Sequence, residues 1–324
     1  MNNSTNSSSG VQLTAIHAAG LHAVREPVSP QCAARCRPFV RSRRRLAASA
    51  EPRREAQCRR MSRSLEPREG RQLYGQDPGT YALGRPDYPE RVYERLASRC
   101  RLAGATRVIE IGPGTGLVTR RLLRAGPHVT GIEPNAAMSA YLGRTLADTA
   151  LDVIDDAFED VDLSPDSFDL AVAATSFHWV SQPAGMRQLR RLLRRDGWAA
   201  IWWMLFDDPD APDDLTSLVE DRCGGFPGAP TSAGDPPFQL DTAARAAELS
   251  DAGFLDVESE VIRSAVVLDT ASARALYASM AIVLRLPPEE QADVLNAVEA
   301  TVDDRFGGRL ERQMVTAMYT ARNP

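Results

Sequence analysis

Lysine is absent: all 38 basic residues of this 324-residue chain are arginine. Such a bias follows GC-rich coding and says nothing of function by itself. Cysteine is scarce. Cys32, Cys36, Cys58, Cys100 and Cys223 are odd in number and match neither a disulfide framework nor a zinc spacing. Cys32 and Cys36, with His17 and His22, read as unpaired residues of a loose arm rather than metal ligands, and no metal is expected. Reduced cysteines fit a cytoplasmic protein. No run approaches the roughly 18 apolar residues of a bilayer span, so a soluble chain with no membrane partner is expected. Internal repeats are also missing.

The charge that is present is unevenly placed. Residues 1–60 hold eleven Arg against Glu26, Glu51 and Glu55, or +8; the rest holds 38 − 11 = 27 Arg against 43 − 3 = 40 acids, or −13. Residues 1–68 combine Asn/Ser low complexity with Pro- and Arg-rich sequence and read as a disordered basic arm. A transit peptide, a tail for acidic partners and a start-site artefact compete there. Met61 reads as an alternative start, which favours an artefact or a dispensable arm. A domain is expected over 69–324, with lid segments near 73–100 and 207–240.

From about Tyr74 strand and helix patterns alternate. Strands are expected over Arg107–Ile111, Val129–Ile132, Leu151–Ile154, Phe168–Ala174 and Trp198–Phe206. Helices are expected between them over Leu117–Arg124, Ala136–Leu146 and Met186–Leu193. Repeated units of this kind predict an α/β fold with a doubly wound, mostly parallel sheet. Further on, residues 207–239 read as a loop, 242–252 as a helix and 256–267 as a strand. Helices follow over 271–284 and 289–305, with a last strand over 312–319. Asp207, Asp208, Asp210, Asp213 and Asp214 lack metal-ligand spacing and read as a solvated loop. Trp198, Trp202 and Trp203 read as core of the fifth strand.

The strongest motif is Glu110-Ile111-Gly112-Pro113-Gly114-Thr115-Gly116, between a strand and a helix. Glycines there allow a sharp turn and close approach of a ligand to the backbone. The dinucleotide pattern would need glycine at Leu117. Glu133, with Pro134 after it, ends the next strand 21 positions after Gly112. A carboxylate there can accept from both hydroxyls of a ribose. Asp156-Ala157-Phe158 follows the third strand, where an acid can accept from an exocyclic amine and apolar neighbours can flank a ring; Asp155 competes for that role.

These elements, with Phe168–Val172 and Ser176-Phe177-His178-Trp179-Val180, resemble class I S-adenosylmethionine (SAM)-dependent methyltransferases. The resemblance is to the small-molecule "type 11" group that includes trans-aconitate methyltransferase-like enzymes. Tyr81 to Pro89 (YALGRPDYP) looks like that group's entry segment. The likeness covers about residues 73–205 well and the C-terminal third loosely. It implies a Rossmann-like, seven-stranded sheet with SAM as cofactor. Gly112, Pro113, Gly114, Thr115 and Gly116 would then cradle the methionine part. Glu110 would hold the loop and the amino end, Glu133 and Pro134 would meet the ribose, and Asp156 and Ala157 the adenine. Thr175 and Ser176 would line the floor near the sulfonium. Tyr81, Arg85, Tyr88 and Trp179 would serve as lid or substrate contacts. His178 is the candidate base, with a plain packing role as the alternative; for a carboxylate acceptor no base is needed and Arg85 can anchor it.

The expected function is methyl transfer to an O, N or C atom of a small molecule by a monomer or homodimer. A nucleotide-dependent oxidoreductase and a non-catalytic SAM-binding protein are the alternatives. Nucleic acid is disfavoured, because the folded part carries −13 and lacks the Asn/Asp-Pro-Pro-aromatic motif of amino-directed methylases.

Overall fold

In the computed structural model residues 66–223 and 236–324 are described, all within the unit that runs from Glu51 to Pro324. Of the basic arm expected over 1–68, residues 1–65 lie outside the described residues, with Met61, the arm cysteines and both of its histidines. So does part of the lid segment expected near 207–240.

Three helices open the described chain: α1 Pro67–Tyr74, α2 Pro78–Gly84 and α3 Glu90–Ser98. The expected domain boundary at 68/69 therefore falls inside a helix. The units β1 Arg107–Ile111, α4 Leu117–Arg124, β2 His128–Ile132, α5 Ala136–Thr145, β3 Leu151–Ile154 and β4 Phe168–Ala174 follow. A single turn over Phe177–Trp179 leads to α6 Ala184–Leu192 and β5 Leu193–Leu205. α7 Asp214–Cys223, α8 Thr242–Asp251, β6 Leu255–Asp269, α9 Thr270–Ala278, α10 Ala281–Leu284, α11 Pro288–Phe306 and β7 Arg309–Arg322 complete the chain.

The strands form one seven-stranded sheet in the order β3-β2-β1-β4-β5-β7-β6. β1 to β5 pair in parallel, and β7 runs antiparallel between β5 and β6. The order reverses from β1 to β4, the switch point where ligands bind in open α/β sheets.

Side chains alternate across the central strands, as a period of two requires. Leu170, Val172, Trp198, Ala200 and Trp202 share one face with Val92 and Leu96 of α3 and Leu122 of α4. Ala171, Ala173, Ile201 and Trp203 share the opposite face with Leu189 of α6 and Leu249 of α8. Adjacent Trp202 and Trp203 thus enter different layers, both core as expected. A third cluster joins α7, α9 and α11 around Tyr277 and Met314.

Two readings are corrected here. Residues 207–239 are not all loop: Asp213 Oδ1 accepts from the Thr216 N–H at 2.8 Å and starts α7, which buries Leu215 and Val219. The acids of that stretch are not simply solvated. Asp208, 6% exposed, pairs with Arg263 at 2.9 Å, and Asp213 pairs with buried Arg312 at 3.2 Å. The partners come from β6 and β7, so the local sequence could not show them. Among the described residues no cluster of His, Cys, Asp or Glu can hold a metal, and no helix is long and apolar enough to cross a membrane.

Candidate active site

The loop after β1 turns through left-handed backbone at Gly112 (φ +67°) and Gly114 (φ +57°), where a side chain costs roughly 1–2 kcal/mol. The two glycines differ in what surrounds them. A Cβ on Gly112 would sit 2.7 Å from the Ser176 Cβ, so Gly112 allows the loop to pass under β4. A Cβ on Gly114 would meet nothing within 4 Å, so its backbone faces an open cleft. Ser176 Oγ–H donates to the Ile111 carbonyl at 2.5 Å and pins the loop to the neighbouring strand.

Glu133 reaches this loop from the tip of β2. Its Oε2 accepts from the Gly114 N–H at 2.9 Å and its Oε1 from the Asn135 N–H at 3.0 Å. Burial holds its pKa above the ordinary carboxylate value, against the lowering by those two donors. Each oxygen keeps a lone pair for a further donor. Glu110, 2% exposed, accepts from the Thr119 hydroxyl at 2.7 Å, and burial pushes its pKa up to about 7.

The cleft is lined by the loop from Gly112 to Thr115, Glu110, Glu133, Pro134, Thr175, Ser176, His178 and Trp179, and by Tyr81, Arg85 and Tyr88. Three expected cofactor residues fall outside it: Gly116, where a Cβ would sit 2.6 Å from Leu142 Cδ1, Asp156 and Ala157. Asp156 is exposed and turns back to accept from the Ala157 N–H at 2.7 Å; neither residue lines the cleft, while Phe158 does. Asp156 Oδ1 thus closes its own turn, while Phe158 faces the cleft.

Helices α1 and α2 roof the cleft. Arg71 donates to the Trp179 carbonyl at 3.0 Å and to Glu159 at 2.7 Å, while its own carbonyl accepts from Asn135 Nδ2 at 3.0 Å. Tyr74 packs edge-on against Tyr81 and tilted against Trp179, each at a centroid distance of 6.0 Å. Arg71, Tyr74, Met204 and Phe206 all line the cleft, and the sequence reading missed them. The aromatic spacing between Tyr74 and Tyr81 was the available signal.

Thr175 ends β4 in left-handed backbone (φ +52°), unusual for a β-branched residue and characteristic of functional sites. Its Oγ1 lies 2.9 Å from the Tyr88 hydroxyl and 3.3 Å from the Met204 N–H that donates to it. Arg85 carries a different signature. Its guanidinium lies 4.4 Å from the Phe206 ring centre and 4.9 Å from that of Tyr81, and Nη2 donates to the Ser279 carbonyl at 2.6 Å. Its Nε is buried without a hydrogen-bond partner, and among the described residues no carboxylate pairs with it.

His178 is corrected as the candidate base. The Trp203 indole N–H, which can only donate, gives its hydrogen to His178 Nδ1 at 2.9 Å. The neutral ring must then carry its proton on Nε2, which leaves that nitrogen a hydrogen-bond donor. Burial lowers its pKa to about 4. The residue is nevertheless exposed and lines the cleft.

Residues 109–201 match a family model described as a methyltransferase domain. An uncharacterized methyltransferase of Schizosaccharomyces pombe is 25% identical over 66% of this chain and 81% of its own length. An uncharacterized methyltransferase of Mycobacterium bovis is 30% identical over 42% of this chain, which spans about half (53%) of that relative. Among solved structures, a candidate type II methyltransferase from Anaeromyxobacter dehalogenans superposes with a TM-score of 0.54 and 18% identity, over 74% of this chain and 97% of that one. The [4+2]-cyclase SpnF superposes at 0.50 and 17%, over 81% and 98%. Those two likenesses concern the fold alone. The glycine loop, β2, β4 and the first part of β5 thus lie inside a stretch that matches a methyltransferase domain, and the chain is similar to methyltransferases over two thirds of its length.

Proposed function

We propose that the protein methylates a small anionic molecule, with a carboxylate as the group that Arg85 holds. S-adenosylmethionine supplies an activated methyl group on a sulfonium that loses its charge as the methyl departs. The chain's own residues bind and orient. Glu133 accepts from the ribose hydroxyls through its remaining lone pairs, and Glu110 receives the amino group of the methionine part. Gly112 to Gly116 give the methionine part backbone contact, and Pro134 flanks the ribose. Thr175 and Ser176 form the floor, with Tyr88 fixing the Thr175 hydroxyl. Tyr81 and Trp179 roof the cleft and exclude water. Such positioning can remove up to about 7–11 kcal/mol of barrier.

One observation carries the acceptor class: Arg85 is a cation in the cleft, stacked among aromatic rings, with a buried unpartnered Nε and, among the described residues, no carboxylate paired with it. A fixed guanidinium fork matches a carboxylate. A carboxylate oxygen is already ionised at neutral pH, so attack on the methyl needs no base, consistent with a His178 that donates through Nε2.

The experiment is incubation with isotopically labelled SAM and a panel of small carboxylic acids, amines and phenols, read by mass spectrometry. Label in a methyl ester is expected, and Arg85→Met should lower kcat/KM about 10- to 100-fold, the worth of one charged hydrogen bond. Label found only in amines, or an Arg85→Met variant as active as wild type, would overturn the acceptor class. Binding without any transfer would favour a non-methylating use of the fold.

A further inference from the structure

A second cavity, of about 1010 Å³, lies on the other side of His178, between the sheet face at β5 and β7 and the helices α6 and α8. That is ample for a drug-sized ligand, since ligand pockets run to about 300–1,000 Å³. His178 and Val180 line both this cavity and the cleft, so the two spaces share a wall. The wall is thin and ordered: His178 faces the cleft, and Trp203, hydrogen-bonded to it, lines the cavity.

The cavity carries an aromatic side and a cationic side. Trp203 packs edge-on against Phe238 at 5.6 Å and against Tyr319 at 5.9 Å between ring centres. Phe238 leaves 44% of its surface exposed, an unusual state for a ring beside a core cluster. Arg187, Arg190, Arg191 and Arg245 meet only Glu248 and Asp251 along the lining, or 4 − 2 = +2, in a chain whose net charge is −5. Arg190 and Arg191 spend their hydrogen bonds on carbonyl and amide oxygens, and Arg187 has no ion-pair partner among the described residues.

Arg245 is the sharpest feature. It is 9% exposed, stacks 3.7 Å from the Phe238 ring centre, and pairs with Glu248 through Nη2 at 2.6 Å. Its Nε and Nη1 have no hydrogen-bond partner. An anion arriving beside Phe238 would satisfy these two buried donor atoms.

We propose that this second cavity binds an aromatic anion: the flat apolar body against Trp203, Phe238 and Tyr319, and the negative group at Arg245 and Arg187. Because His178 divides it from the cleft, the site deepens the proposed function, on which this clause alone rests: the methyl acceptor is an elongated aromatic diacid, with its body and one acid group in the cavity and its reacting carboxylate past His178 at Arg85.

The test is calorimetric titration of the full-length protein with 2-naphthoate, alone and with saturating S-adenosylhomocysteine. Saturable binding at a single site is expected. Phe238→Ala should weaken it about tenfold through lost ring packing, and Arg187→Glu a few-fold through reversed charge at the mouth. Both residues are exposed, so both variants should fold and keep wild-type affinity for S-adenosylhomocysteine. Absence of heat up to about 10 mM, which corresponds to less than roughly 2.7 kcal/mol, would overturn the proposal. So would naphthoate binding that neither substitution changes, including binding lost only in Arg85→Met, which would place the ligand in the cleft and leave the proposed function standing. Naphthoate binding that responds to Phe238 and Arg187 in a protein that fails to bind S-adenosylhomocysteine would remove the proposed function and keep the cavity.

Discussion

Replacing Glu133 by Gln keeps the shape of the side chain and removes its charge and one acceptor. In the native protein each carboxylate oxygen takes one backbone N–H, from Gly114 at 2.9 Å and from Asn135 at 3.0 Å. The amide offers one carbonyl oxygen, so one of those two N–H groups must face an NH₂ instead. An unpaired buried donor costs about 1–3 kcal/mol, partly offset because the native charge is itself penalised by burial. A net loss of about 1–2 kcal/mol corresponds to a fall in Tm of about 2–8 °C for a domain of this size. The effect on cofactor affinity should be larger relative to its baseline. Hydrogen bonds to a charged acceptor contribute about 1.5–3 kcal/mol, so the Kd for S-adenosylhomocysteine should rise about 10- to 150-fold. Thermal unfolding and isothermal titration read the two effects separately. Asp156→Asn is the matched control: it removes a charge from an exposed turn outside the cleft and should leave both readouts unchanged. A Glu133→Gln protein that binds S-adenosylhomocysteine within about twofold of wild type would refute the assignment of the ribose site, and an Asp156→Asn protein that loses binding would return the adenine role to Asp156.

Three other outcomes are expected. Gly112→Ala places a Cβ 2.7 Å from that of Ser176 and should lower Tm sharply, whereas Gly114→Ala meets no atom, should cost roughly 1–2 kcal/mol from backbone strain alone, and should chiefly weaken cofactor binding; equal Tm losses would contradict the geometry. Glu110, raised from 4.5 to about 7, binds its proton more readily folded than unfolded, so its contribution to stability is present below about pH 4.5 and is lost as pH climbs to 7. Glu110→Gln should therefore gain on wild type by up to roughly 3 kcal/mol between pH 5 and 8, and parallel Tm-versus-pH curves would exclude the shift. His178→Asn should reduce kcat less than about tenfold and leave the pH–rate profile unmoved, whereas loss of a true general base would cost about 10²–10⁴.

Much of the site was legible without coordinates because it is made by short-range rules. Glycines at 112, 114 and 116 after an apolar strand force a tight turn. An acid at the end of the next strand falls beside that turn once two parallel strands pair in register, as Glu110 and Gly131 do. Alternation along β4 and β5 sent Trp202 and Trp203 to opposite faces. β5 begins five residues before the expected Trp198, because Leu193 pairs with Phe168 ahead of an irregularity in register, which Gly197 and its polar neighbours disguise as a break.

Other parts depended on partners far apart in the chain. Asp156 and Glu133 look alike as strand-end acids, yet one turns outward and the other is buried, because only the packed loop offers Glu133 a second donor. His178 looked like a base until Trp203, 25 residues away, occupied Nδ1. The solvent exposure expected of Asp208 vanished when Arg263 arrived from β6. The sequence alone therefore determined the alternating units from β1 to β5, the glycine loop and its companion acid, since backbone sterics and periodicity act over a few residues. Tertiary packing alone decided which side chains keep free hydrogen-bonding capacity and where a second cavity opens, since both depend on groups that meet only after the sheet and its helices have closed together.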